Sequence, residues 1–236
     1  MAPVRSVALA ALVTVLLAAC GPDGPEFSGP SADPVEAPAN ATAGDGIATL
    51  ADPDWVTQSA AATDIPARAL AAYAGADRRV RDEDGCAVGW NTLAGIGRIE
   101  SGHGTIFGGS IGEDGRATDE IRGIPLDGTR GTLAIPDSDG GDLDGDDIWD
   151  RAVGPLQFIP ETWEEWGADG NGDGTSDPHH IDDAALAAAR YLCSVPDDGL
   201  GESQGWIAAI RTYNNSAQYQ RDVAAAAEEY AQLAGT

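Results

Sequence analysis

A carboxylate standing in the last turn of a helix is the side chain in this sequence with the plainest chemical use. Asn91 to Ser101 carries Leu93, Ile96 and Ile99 at helical spacing and stops at Gly102, a residue suited to the left-handed position that closes a helix. Glu100 therefore faces the negative end of the helix dipole, which favours its neutral form. Burial among Ile96, Ile99 and nearby aromatics would raise its pKa further, toward the range a general acid needs. A surface Glu at an unfavourable helix end fits the same residues, so both readings stand at this point. Nucleophilic hydrolysis is not indicated: Ser101 lacks the Gly-x-Ser-x-Gly elbow, and none of the three histidines falls in a triad pattern.

A second set of oxygens lies at Asp169-Gly170-Asn171-Gly172-Asp173-Gly174-Thr175, where side-chain oxygens at loop positions 1, 3 and 5 and a Gly at 6 follow the EF-hand pattern for calcium. Thr175 would add its backbone carbonyl. His180 stands where a twelfth-position Glu is usual, and Asp183, at the start of the next helix, is placed to close the cage. The expected role of the ion is structural; a turn-rich acidic loop without metal is the alternative.

These groups must be held by helices. Asp64-Ile65-Pro66 opens one, Asp64 as its cap and Pro66 in its first turn, with Ile65, Ala69, Leu70 and Tyr73 on one face. Pro160 to Trp166 is a short helix, and Asp182 to Cys193, Glu202 to Tyr213 and Ser216 to Leu233 are longer ones, each apolar on one side and rich in Ala. Between them, Gly104 to Asp150 is a long loop region, dense in Gly and Asp, with short apolar fragments that suit one small hairpin.

Three ordered motifs resemble those of lytic murein transglycosylases of the membrane-bound lytic transglycosylase B type: Gly97-Arg98-Ile99-Glu100-Ser101-Gly102-His103-Gly104, then Gly154-Pro155-Leu156-Gln157-Phe158-Ile159-Pro160 with Trp163 following, then Tyr213-Asn214-Asn215-Ser216-Ala217-Gln218-Tyr219. The likeness spans about Ile65 to Val223. It implies a lysozyme-like fold, mainly α with a groove beside a small irregular or β-containing insert. It also implies that Glu100 protonates the oxygen between N-acetylmuramic acid and N-acetylglucosamine in peptidoglycan glycan strands, then takes the proton of the muramoyl C6 hydroxyl, leaving a 1,6-anhydromuramoyl end. A paired-carboxylate glycosidase needs two acids; here the substrate's N-acetyl group is expected to stand in for the second. By the same resemblance Ser101, Gln157, Phe158, Tyr213, Asn214 and Tyr219 contact the sugar, and members of the family lengthen the acidic loop with an Asp such as Asp183. A lysozyme that delivers water would share fold and acid. A calcium-stabilised, non-catalytic wall-binding lipoprotein would share the fold alone, and the presence of Glu100 argues against it. The chain departs from the family pattern in the acidic insert Asp137 to Asp147 and in having no aromatic residue at His103-Gly104.

The N-terminus reads as an export signal: Arg5 precedes an apolar run from Val7 to Ala19, too short to span a bilayer comfortably, which ends in Leu17-Ala18-Ala19-Cys20-Gly21. That ending resembles a bacterial lipobox. Residues 1–19 would be removed and Cys20 would carry lipid, placing the protein on the outer face of the cell membrane, in the wall space. Residues 20–59, rich in Pro, Gly, Ala and acids, read as a disordered tether of end-to-end distance about 35 Å, and residues 60–236 as one catalytic domain. With Cys20 lipidated, Cys86 and Cys193 remain to pair in an oxidising compartment; a zinc site with His179 and His180 lacks the usual ligand spacing. The formal net charge of −26, with every basic residue an Arg, makes nucleic acid an improbable partner. The expected cofactor is structural Ca2+, with no organic group, and the expected state is a monomer.

Overall fold

The structure, a computed structural model, describes residues 29–195 and 199–235, so the signal segment and Cys20 lie outside the described residues. Among these residues it is mainly helical: α1 (Pro53–Thr63), α2 (Ala67–Asp84), α3 (Trp90–Ser101), α4 (Pro160–Trp166), α5 (Ile181–Cys193), α6 (Ser203–Tyr213) and α7 (Ala217–Leu233). The expected class, mainly α with a small β-containing insert, is what the fold shows. No described helix is long and apolar enough to cross a membrane.

Helix α3 is the centre of the packing, buried continuously from Trp90 to Gly97. It lies most extensively on α7, and also on α2, which in turn covers α5. Close approach is possible because α3 carries Gly97, where a Cβ would stand 2.1 Å from the Tyr73 hydroxyl of α2. Its C-terminus is closed by Gly102 at φ 59, whose N–H returns to the Arg98 carbonyl, while His103 N–H bonds the Gly97 carbonyl. Cys86, just past α2, is bonded to Cys193 at the end of α5 with Cα atoms 6.0 Å apart. The pairing expected for these two residues is therefore present.

Two expectations need correction. Asp64 does not cap α2; it ends α1 in the left-handed conformation at φ 58, and Pro66 occupies the N-cap of α2. The tether reading of residues 20–59 fails for the part the structure describes. From Gly29 to Ala51 the chain is a strap laid across α2, α3 and α7, followed by α1. Ala32, Ala37, Ile47 and Ala51 are buried. The strap's backbone is also satisfied: Asn91 donates to the Asp33 carbonyl and accepts from Val35 N–H, Arg78 donates to the Ala37 carbonyl, and Gln220 donates to the Pro30 carbonyl. Its low content of large apolar residues suggested disorder, but small residues and paired backbone groups are enough when a preformed groove receives them.

The stretch 104–150 contains no extended sheet among the described residues, only short bridges. Asp127 pairs with Ala134 and Pro136 with Trp149 to make the small hairpin-like insert, while Arg122 and Phe158 both pair with Val153. Those last bridges fix the backbone on both sides of Gln157.

Candidate functional site

Glu100 emerges from the last turn of α3 toward the N-terminal turn of α7. There the Tyr219 hydroxyl donates to Glu100 Oε1 at 2.5 Å. Burial pushes the carboxyl up to about 7, against a smaller downward pull from that hydrogen bond. The acid-range pKa expected for Glu100 thus has a physical cause, with burial the larger contribution. Tyr219 is itself buried, and its own pKa is driven well above the ordinary phenol value, by burial first and then by Glu100 and Tyr213. It therefore remains a donor throughout any working pH. Replacing Tyr219 by Phe removes the interaction that lowers the Glu100 pKa. The pH above which Glu100 loses its proton should then move upward, a shift readable in the alkaline limb of a rate profile or in a carboxyl titration.

The neighbouring pocket, about 90 Å³, is lined by Gln157, Phe158, Ile159, Thr162, Tyr191, Thr212 and Tyr213. Gln157 sits at φ 51, a left-handed position uncommon for a residue with a side chain. Its Nε2 donates to the Gly154 carbonyl at 2.9 Å. The amide is thereby held in a fixed pose at the pocket wall. Phe158 is almost wholly buried, edge-on to Trp163 at 5.3 Å and to Tyr213 at 5.8 Å, so it is at once core and pocket wall. The Tyr213 hydroxyl donates inward to the Leu156 carbonyl at 2.7 Å, which leaves its ring as the part that meets the pocket. Glu100 also raises the Tyr213 pKa, second to burial.

Not every expected contact residue is available. The Ser101 hydroxyl is buried, donates to the Pro155 carbonyl at 2.6 Å and accepts from Gly104 N–H at 2.7 Å. It is a bolt between the end of α3 and the Gln157 segment, and the expectation that it contacts sugar is corrected on that ground. Asn214 lies exposed just past α6 and does not line the pocket. Conversely, Tyr191, Thr162 and Thr212 line the pocket without having been singled out from sequence. Tyr191 stands in the last turn of α5, its ring tilted against Trp166 on one side and Tyr213 on the other at centroid distances of 5.5 and 5.9 Å. At the end of an Ala-rich amphipathic helix such a ring reads as ordinary packing, and only its neighbours reveal the aromatic row.

The candidate cation loop is well formed. Asp169 accepts from the amides of Gly172, Asp173 and Gly174, Asn171 from Asp173, and Asp173 from Thr175. The donor set, two carboxylates, one amide oxygen and a backbone carbonyl at Thr175, suits a hard cation. Asp183 is buried and reaches the loop through its amides, accepting from Gly170, Asn171 and Asp177. Elsewhere, in the insert, Asp137, Asp139 and Asp150 bring carboxylate oxygens within 4.8 Å of one another, the one such trio among the described residues. His179 and His180 are not gathered with the cysteines: the His180 ring caps α5 by accepting from Asp182 N–H, and His179 accepts from Ile121 N–H.

The Transglycosylase SLT domain family matches residues 144–208, a span that takes in the Gln157 segment, the cation loop and α5. The matched span contains the second of the three motifs, and the match agrees with the lytic transglycosylase resemblance drawn from them. Glu100, Tyr213 and Tyr219 fall outside the matched span, and it is the fold that brings them to it. No curated protein shows a significant match. Among solved structures, the chain is similar to the Escherichia coli lytic transglycosylase Slt35 in complex with calcium, at 16% identity over 77% of this chain and 75% of that one, with a TM-score of 0.45. The same E. coli enzyme in complex with bulgecin A gives 15% identity over the same shares and a TM-score of 0.45. SltB3 from Pseudomonas aeruginosa in complex with NAG-anhNAM-pentapeptide gives 18% identity over 75% of this chain and 66% of that one, with a TM-score of 0.41. At these values the likeness carries no residue role across.

Proposed function

We propose that the chain cleaves the β-1,4 bond between N-acetylmuramic acid and N-acetylglucosamine and releases 1,6-anhydromuramoyl ends, with Glu100 as the single acid and base. The observation that carries this reading is the pairing of Glu100 with the Tyr219 phenol in a partly buried setting that raises the carboxyl to about 7. A carboxylic acid with that pKa is protonated often enough to give its proton to a leaving oxygen, and basic enough afterwards to accept one from a hydroxyl. Burial and the Tyr219 hydrogen bond are the influences that set this value. In the mechanism proposed, the substrate's own N-acetyl group meets the developing positive charge. The rings of Phe158, Tyr213 and Tyr191 offer apolar surface to sugar faces, and the fixed amide of Gln157 offers polar contacts at the pocket wall. Mass spectrometry of digested peptidoglycan tests the reading: anhydromuramoyl ends support it, and reducing ends would replace it with a hydrolytic muramidase.

The Asp169 loop is proposed to hold calcium through Asp169, Asn171, Asp173 and the Thr175 carbonyl, with Asp183 closing the loop from α5. Because the loop joins α4 to α5, the ion would stabilise the frame behind the pocket. Calcium should raise the Tm, and Asp169→Ala should abolish the rise; equal Tm values with calcium and with chelator would remove the ion from the account.

Export and lipidation at Cys20 are proposed on the N-terminal pattern, with the protein acting as a monomer at the outer face of the cell membrane. With lipid carried there, eight residues separate it from the strap at Gly29, a reach of about 30 Å at full extension.

A further inference from the structure

The turn that ends α3 is tied down more heavily than a helix end requires. Ser101 bolts it to Pro155. Just beyond stands His103, buried although polar, at φ 61, in the place where the first motif departs from the family pattern. Its two ring nitrogens face two hydroxyls on different helices: Nδ1 lies 3.3 Å from the Tyr73 hydroxyl of α2, and Nε2 lies 2.8 Å from the Tyr230 hydroxyl of α7. Both tyrosine rings tilt against the imidazole, with centroids 5.8 and 5.7 Å away. The same helix α7 delivers Tyr219 to Glu100 at its other end. A left-handed backbone at a residue with a side chain and a buried imidazole both cost free energy, and nothing in the acid chemistry uses this ring directly.

We propose that His103 is a positioning residue for Glu100: bridging Tyr73 and Tyr230, it fixes the end of α3 between α2 and α7 and so keeps the Glu100 carboxyl in its partly buried place against Tyr219. The proposal rests on Glu100 being the working acid. A neutral imidazole suits the task, since one nitrogen can donate while the other accepts. The groups facing the ring keep it neutral. Tyr73 comes from α2 and Tyr230 from α7. Arg98 of α3 stacks over the Tyr230 ring at 5.5 Å and is itself paired with Glu229. Burial first, then Arg98, holds the His103 pKa down at about 4, so the strut stays intact across neutral pH. Around Glu100 the facing groups are Tyr219 and Tyr213, both neutral.

The test is a carboxyl titration of Glu100 in the full chain, followed by NMR with 13C-labelled glutamate and assigned by loss of the signal in Glu100→Gln. The parent midpoint is expected near 7. In His103→Leu the turn is released, water reaches the carboxyl, and the midpoint should fall by about one unit. Tyr230→Phe should move it in the same direction, and it decides the matter if the Leu variant does not fold. His103→Gln can still donate and accept, and should titrate like the parent. An unmoved midpoint in both His103→Leu and Tyr230→Phe, or a Gln variant shifted as far as the Leu variant, overturns the proposal and leaves His103 as a packing residue. Glycan cleavage by the parent is measured beside it. A chain that titrates as described yet cuts nothing would refute the proposed activity while keeping the strut.

Discussion

Glu100→Gln should lower the rate of glycan cleavage by about 10²–10⁴-fold and, at the same time, make the protein more stable at pH 8. Both effects come from one cause. In the folded state burial holds the carboxyl near 7, whereas its ordinary value is 4.5. Below pH 4.5 the folded and unfolded chains both carry the proton, and Glu100 contributes no pH dependence. Between 4.5 and 7 the unfolded chain releases a proton that the folded chain keeps, so each pH unit in that window lowers stability by about 1.4 kcal/mol. Above 7 the whole difference is felt, about 3 kcal/mol. Gln has nearly the same shape, accepts the Tyr219 hydrogen bond and carries no charge to bury. For a chain of this size its gain corresponds to about 6–12 °C in Tm at pH 8, with little change at pH 4. Identical Tm differences at the two pH values would mean that Glu100 titrates as an ordinary surface acid, and the catalytic assignment would lose its physical basis. A destabilised active site of this kind is a familiar cost of function.

A chain that begins at Asp52, lacking the strap but keeping α1 and its cap, should melt far below the full chain. The strap's key residue is Ile47, which is fully buried and whose N–H bonds the Gly170 carbonyl beside the cation loop. Its carbonyl lies over Gly75 of α2, where a Cβ would stand 1.8 Å from the oxygen. Ile47→Ala alone should cost about 3 kcal/mol, or about 6–12 °C in Tm. Gly75→Ala separates packing from propensity. In a free helix the change stabilises by about 1 kcal/mol, but here the added methyl has no room unless the strap lifts. A lowered Tm for Gly75→Ala therefore supports the docked strap, and a raised one would mean that residues 29–51 leave the surface readily. Because the strap also touches the loop that joins α4 to α5, its removal should weaken calcium binding along with stability.

Much of the helical frame could be read along the chain. The period of apolar residues marked α3 and α5 to α7 to within a residue or two, Gly102 ended α3 as its type suggested, and Pro160 opened α4. These features are local: a helix end depends on the residues within one turn of it. Glu100 was legible for the same reason, since its position against the helix dipole follows from sequence alone. The pairing of Cys86 with Cys193 could be reached by elimination.

What lay beyond the sequence were the consequences of distant segments meeting. That Ser101 is a bolt and not a sugar contact depends on Pro155 arriving above it. That Tyr191 belongs to the pocket depends on α4 and α6 bringing Trp166 and Tyr213 to either side of it. The strap was misread because composition measures what a segment can bury by itself, whereas residues 29–51 are held against α2, α3 and α7. His103 shows the difference most sharply: a lone histidine after a helix has no evident role until two hydroxyls from other helices stand at its two nitrogens. Sequence determined the helices and the type of acid, because those rest on neighbours along the chain; tertiary structure decided how strongly the acid is buried and what holds it there, because burial is a property of all the segments that surround a group.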